Sequence, residues 1–215
     1  MQLSGMDQNA KCGGGQLVDS LLTTARLVDC QKHVALQTIQ VLNPEISEIK
    51  TNWYPRFNLS KIAISPEVSL SNTRVLIELS NHRKTSQLEN AKLIRILNGV
   101  FEQKNFSVVI TLKSVDVKKA EELIQRLKMP AKFIVTPTLQ EFISLVNSCE
   151  VFLLGDGGAA HIAGALGKRG VAVYGKTSVK LWSVLSEDVL HLYHEHDVND
   201  IPDQEIKFAL LGLLS

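Results

Sequence analysis

Val151-Phe-Leu-Leu-Gly155-Asp156-Gly157-Gly158-Ala-Ala-His161-Ile-Ala-Gly-Ala-Leu-Gly167 decides how this chain folds, together with the apolar run Val171-Ala-Val-Tyr174 and Gly175-Lys-Thr177 that follow it. The four apolar residues Val151 to Leu154, bounded by Gly and Asp, read as a buried parallel strand. The next ten read as a short helix with Asp156 at its N-cap and Gly167 just past its end. Strand, glycine turn, helix and strand make one βαβ unit. Gly157 and Gly158 carry no side chain to keep a ligand from the backbone N–H groups. Those unpaired amides and the positive end of the helix dipole favour an anion such as a phosphate. One turn in, His161 is expected to reach the same mouth while Ala159, Ile162, Ala163 and Leu166 face the sheet. The alternative is a purely structural one, with the glycines there for packing, Asp156 a cap and His161 a core residue.

The same alternation extends outward. Strands are expected at Val75–Leu79, Ser107–Leu112, Lys132–Val135, Val151–Leu154, Val171–Tyr174 and Val189–Tyr193, separated by helical segments. Ser86-Gln-Leu-Glu89 and Thr138-Leu-Gln-Glu141 have capping-box form. The first helix is expected to bury Leu88, Ala91, Ile94, Leu97 and Phe101, and the one after Asp116 to bury Val117, Ala120, Leu123, Ile124 and Leu127. A last helix covers Asp203 to Leu214. Apolar strands alternating with helices imply an α/β fold, a doubly wound parallel Rossmann-like sheet covered on both faces, assigned to residues 67 to 215. Before it, residues 1 to 66 read as an N-terminal extension. A polar tail ends in Gly13-Gly14-Gly15, an amphipathic helix runs from Gln16 to Cys30, and His33 to Leu42 is either strand or helix. A linker with Pro44, Pro55 and Pro66 follows, holding a short strand at Lys61 to Ile64.

Charge and composition exclude several function classes. Among 215 residues, 23 basic side chains stand against 22 acidic ones, for a net charge of +1. No field draws the protein to nucleic acid or to an anionic membrane. Cys12, Cys30 and Cys149 lack paired or metal-site spacing and read as free thiols in a reducing compartment. Neither a membrane-spanning run nor a signal-peptide pattern is present. The expected location is cytoplasmic, with peripheral inner-membrane contact left open.

Two formal motif matches fail on context. Gly155-x-Gly157-x-x-Ala160 fits the dinucleotide fingerprint but follows the fourth strand, and the next strand ends without an acidic residue for a ribose. Gly170-Val-Ala-Val-Tyr-Gly175-Lys176-Thr177 satisfies the Walker A letters, yet the residues between its glycines are themselves an apolar strand.

Asp156-Gly-Gly-Ala-Ala-His161-Ile-Ala163, Ala165-Leu-Gly167 and Val171-Ala-Val-Tyr-Gly175-Lys-Thr177 with Trp182 resemble the C-terminal domain of the heptosyltransferases, glycosyltransferase family nine. The resemblance covers about residues 73 to 185. It implies one half of a two-Rossmann, B-type glycosyltransferase fold that binds a nucleotide sugar, ADP-heptose-like, for transfer to a lipopolysaccharide or other glycan or lipid-linked acceptor. Asp156 would then contact the sugar, the amides at Gly157 and Gly158 the diphosphate, and His161 and Thr177 the same pocket. Ser80-Asn-His-Arg-Lys84 resembles the loop whose hydroxyl and lysine bind donor phosphates, making Ser80 and Lys84 candidates. Asp116 stands about where an acidic residue takes ribose hydroxyls; otherwise Lys84 is a solvated lysine and Asp116 a plain helix cap. Gly157 stands where Ser or Thr is usual, Lys176 where Pro is usual, and Ser86-Gln87 where Trp-Pro is common. Gly15-Gln-Leu-Val-Asp19-Ser-Leu-Leu-Thr-Thr24 resembles the loop of the acceptor domain that carries the general base, so Asp19 is either that base or a surface residue of a linker helix. Residues 1 to 72 are short for a whole acceptor domain. The expectation is therefore an inverting enzyme, truncated or whole, that uses no metal and no cofactor, or else a non-catalytic protein that binds a nucleotide sugar or a partner chain.

Overall fold

A computed structural model describes residues 31–43, 45–57, 73–136 and 138–215. The expected tail, the helix over Gln16 to Cys30, Asp19, the strand over Lys61 to Ile64 and the boundary near Pro66 lie outside the described residues. The chain divides into two compact units, Met1–Tyr54 with Val179–Ser183, and Pro55–Ser178 with Val184–Ser215.

In the first unit the segment open to either reading is a helix, α1 (Val34–Leu42). His33 starts it: Nδ1 accepts from the Ala35 N–H at 3.2 Å, which leaves the proton on Nε2 to donate to the Ser183 carbonyl at 2.9 Å. One neutral tautomer serves both bonds.

The second unit is built on six strands: β1 (Arg74–Glu78), β2 (Ser107–Leu112), β3 (Ala131–Val135), β4 (Val151–Gly155), β5 (Arg169–Tyr174) and β6 (Val189–Tyr193). They form one sheet in the order β3-β2-β1-β4-β5-β6, every neighbouring pair parallel. This is the doubly wound Rossmann-like arrangement, with chain direction reversing across the sheet between β1 and β4. Gly170 to Tyr174 lie inside β5, so the Walker A letters fall on a strand and form no phosphate loop.

Side chains alternate across the sheet. Val75, Ile77, Val108, Ile110, Val151, Leu153, Val171 and Val173 enter one core with α2 (Asn90–Phe101), α3 (Val117–Ile124) and α6 (Asp203–Leu213). Leu76, Val109, Phe152, Leu154, Ala172 and Tyr174 are buried on the opposite face, where α4 (Leu139–Asn147) and α5 (Gly158–Ala165) pack. The capping box at Thr138 and Glu141 forms with both reciprocal bonds. The one at Ser86 and Glu89 does not: α2 begins one residue after Glu89, and Ser86 is buried in a 3-10 turn, Lys84–Ser86. Of the expected inward stripe Leu88, Ile94 and Leu97 are buried and Phe101 packs against the core, while Ala91 is exposed and Leu93, Ile96 and Val100 join the buried face.

The same helix buries Lys92, whose ammonium donates to the Ile201 carbonyl at 2.5 Å and to Asp203 Oδ1 at 2.7 Å. Arg95 Nε donates to Asp203 Oδ2 at 2.7 Å. These two cations hold the Asp203 carboxyl below its ordinary value, the Arg95 hydrogen bond contributing most. A carboxylate with a depressed folded pKa stabilises the fold above its unfolded value and loses that contribution as pH falls through the folded one. Asp203→Asn is therefore expected to lower stability by about 3 kcal/mol at pH 7, because it strands the buried Lys92 charge. In urea melts the difference should shrink as pH falls below the ordinary value of 3.8; a difference that stays constant well below that value would contradict the linkage.

Candidate active site

The sheet reverses at β1 and β4, and the loops leaving those strands face each other across the crevice where open α/β sheets bind ligands. From β4 the chain enters α5 through Asp156 and Gly157. The N-cap is Gly157 and not Asp156, whose side chain makes no capping bond. Asp156 is instead pulled inward, 3% exposed. Its N–H donates to the Val173 carbonyl at 2.8 Å, and its Oδ2 accepts from Arg83 Nη1 at 2.5 Å. A carboxylate this far from water needs a cation more than a helix needs its cap.

The helical ladder of α5 opens with the His161 N–H on the Gly157 carbonyl, so the amides of Gly157 and Gly158 lie ahead of it. A Cβ at Gly158 would meet nothing within 4 Å. At Gly155 it would sit 1.7 Å from the Ser86 carbonyl oxygen, and at Gly175, 2.3 Å from that of Thr85. Gly155 and Gly175 thus let the β1 loop lie down on the ends of β4 and β5, whereas Gly158 leaves room above the amides. At the far end Gly167 takes a left-handed turn, φ 69°, and closes the helix as expected. The buried face of α5 is Ala159, Ala160, Ala163 and Gly164, with Ile162 half-buried and His161 exposed.

On the β1 side, Ser80 Oγ donates to Asp116 Oδ2 at 2.5 Å and accepts from the Lys113 N–H at 2.7 Å. Asp116 occupies the N-cap position of α3 but makes no side-chain cap bond, its carboxylate being engaged by Ser80. Asn81 reaches across the crevice to the Asp156 carbonyl at 2.9 Å. Gln87, in the place of a common proline, accepts from the Asn81 N–H and donates to the Glu78 carbonyl. This loop is fixed from both sides.

Two cavities open here. One of about 710 Å³ is lined by Ser80, His82, Lys84, Lys113, Asp116 and Lys119 among others, a size suited to a nucleotide. The other, about 300 Å³, takes in Glu78, Ser80, Lys113, Thr136, Thr138 and Gly158. Ser80 and Lys113 border both. Asp156, Gly157, His161 and Thr177 line neither. Asp156 and Thr177 are brought together by Arg83, whose Nη1 also donates to Thr177 Oγ1 at 3.2 Å. Burial raises the Glu78 carboxyl, with Lys113 opposing it. Burial pushes the Tyr174 hydroxyl up to about 12 and lowers His191, with His161 adding to the latter. The buried Cys149 thiol is raised to about 11, leaving it protonated and unreactive at neutral pH.

Arg83, Asn81 and Glu78 belong to the site and are not among the residues expected from sequence. Arg83 and Asn81 lie within the Ser80 to Lys84 loop, but their shared partner Asp156 is more than 70 residues away in the chain and no local pattern marks it as buried. Among the described residues no group of three or more His, Cys, Asp or Glu could hold a metal ion. No helix among them is long and apolar enough to cross a membrane.

A parallel sheet of this order, with open space above the Gly158 backbone on one side of the crevice and a polar cavity on the other, defines a Rossmann-like α/β domain. The sequence model of glycosyltransferase family 9 (heptosyltransferase) matches residues 89–207, and the chain belongs to that family. Among solved structures it is similar to E. coli heptosyltransferase WaaC with ADP, at a TM-score of 0.72 and 11% identity over 92% of this chain and 62% of that one. A glycosyl transferase family 9 structure from Veillonella parvula gives a TM-score of 0.70 at 11% identity, covering 89% of this chain and 63% of that one. For E. coli ADP-heptose lps heptosyltransferase II the TM-score is 0.59 at 19% identity, with 69% and 48% covered. The chain thus spans less than two thirds of the length of each. No match was found among curated proteins.

The unequal surroundings of the glycines give a test. Gly155→Ala should destabilise the fold by about 1 to 3 kcal/mol or more, since backbone blocks the new methyl. Gly158→Ala should change stability by no more than about 0.5 kcal/mol. Equal effects in denaturant titrations would remove the distinction between packing glycine and open glycine.

Proposed function

We propose that this chain is the donor side of a heptosyltransferase-type glycosyltransferase, binding an ADP-heptose-like nucleotide sugar for transfer to a lipopolysaccharide or other surface-glycan acceptor. One observation carries the reading. Ser80, Lys84 and Asp116, from two separate loops, border a single nucleotide-sized cavity, and Ser80 also borders the pocket that reaches Gly158. Family membership supports the same assignment, as does likeness in fold to a heptosyltransferase whose structure is described with ADP.

On this reading Asp116, held by Ser80, keeps one carboxylate oxygen for ribose hydroxyls. Lys84 and the amides of Gly157 and Gly158 meet the diphosphate, and Asp156, Thr177 and His161 complete the donor side. In transfer, the bond from the anomeric carbon to the diphosphate oxygen breaks and its electron pair leaves with that oxygen. An acceptor hydroxyl attacks from the opposite face, giving inversion, and its proton passes to a carboxylate base. Fixed cationic and amide donors stabilise the charge on the leaving group, so no metal is invoked. The reaction is placed in the cytoplasm, with contact at the inner membrane through a lipid-linked acceptor.

Calorimetry with ADP in the presence of a chelator is expected to show binding to the wild-type chain. Lys84→Ala should weaken it by about 1 to 3 kcal/mol, the scale of one charge-assisted hydrogen bond. Absence of binding by any nucleoside diphosphate at millimolar concentration would defeat the proposal, and an unchanged affinity in Lys84→Ala would return that lysine to the solvated surface.

A further inference from the structure

The ion pair between Arg83 and Asp156 is lopsided: the Asp156 side chain is 4% exposed and that of Arg83 58%. A single nitrogen makes both side-chain bonds of Arg83, Nη1 to Asp156 Oδ2 and to Thr177 Oγ1. Among the described residues neither Nε nor Nη2 has a partner. A lysine would neutralise Asp156 equally well, as a point charge. A guanidinium differs in being a planar fork with donors on two edges, the geometry that recognises phosphate in pairs of parallel bonds. Here one corner is anchored on a buried carboxylate and the other edge is unused. The loop is braced as well: Asn81 Oδ1 accepts from the Arg83 N–H at 3.0 Å while Asn81 Nδ2 holds the Asp156 carbonyl. Arg83 also lies between Ser80 and Lys84 in the chain, and its anchor Asp156 directly precedes Gly157 and Gly158.

We propose that Arg83 is a ligand-touching residue of the donor site, presenting its Nε–Nη2 edge to the diphosphate, and that Asp156 and Thr177 are positioning residues acting through it. The inference rests on the nucleotide-sugar reading and reassigns Asp156, which family resemblance alone places on the sugar. It also accounts for a carboxylate that lines neither cavity and faces a cation instead of open space. As the diphosphate departs, Arg83 and Lys84 meet its growing charge from adjacent positions in one braced loop.

The test titrates wild type, Arg83→Lys and Asp156→Asn with AMP, ADP and ADP-glucose, with a thermal melt of each variant. Arg83→Lys keeps the charge opposite Asp156, so its melting temperature should hold. Its single donor centre is claimed by the carboxylate, so ADP should weaken about tenfold, the worth of one charge-assisted hydrogen bond, while AMP changes by about twofold or less. Asp156→Asn should weaken ADP and ADP-glucose by the same factor. An unchanged preference for ADP over AMP in Arg83→Lys, with ADP still bound by wild type, would overturn the Arg83 assignment and leave the nucleotide-sugar reading standing. A loss confined to ADP-glucose in Asp156→Asn, or no loss for either ligand, would overturn the positioning role. Failure of the wild type to bind ADP would defeat both.

Discussion

The site depends on how closely the loop after β1 can approach the ends of β4 and β5. Backbone carbonyls of Thr85 and Ser86 lie where Cβ atoms would be at Gly175 and Gly155, so any side chain at either position would lift the loop away. With it would go Asn81 and Arg83, which bridge to Asp156, and Ser80, which fixes Asp116. Two missing methyl groups therefore set the geometry of residues contributed by three loops. Close packing of backbone against backbone tolerates no partial adjustment.

Asp156 adds the electrostatic half of the same constraint. A carboxylate 4% exposed costs free energy unless a cation reaches it. That requirement fixes where Arg83 sits, and hence the conformation of the loop carrying it. Lys92 and Asp203 repeat the pattern on the opposite face of the sheet, where a buried ammonium ties the last helix to the first core helix. In each case a buried charge selects one arrangement of neighbouring elements.

Much of the fold was legible from hydrophobic period alone. The strand, glycine turn and helix fall within Val151 to Gly167 as the pattern put them, with the N-cap one residue later at Gly157, and β2 reads correctly because all six of its residues are buried. The start of α2 did not, because the capping-box letters at Ser86 and Glu89 match a helix beginning at Gln87, and the helix begins three residues later, at Asn90. Of the site, Ser80, Lys84 and Asp116 were legible through spacing and resemblance, and they share one cavity. Arg83 was not: its partner lies 73 residues away in the chain, and nothing local marks Asp156 as buried when an exposed N-cap would have the same neighbours. Gly155 and Gly158 look alike in sequence and differ only in what stands opposite them.

A crystal structure of the chain grown with ADP tests the central claim most directly. The account predicts the diphosphate at the crevice between β1 and β4, its oxygens within hydrogen-bonding distance of the Gly157 and Gly158 amides and of the Arg83 and Lys84 side chains, with Asp116 on the ribose. ADP bound elsewhere on the chain, or at this crevice with its phosphates turned away from those four residues, would contradict it.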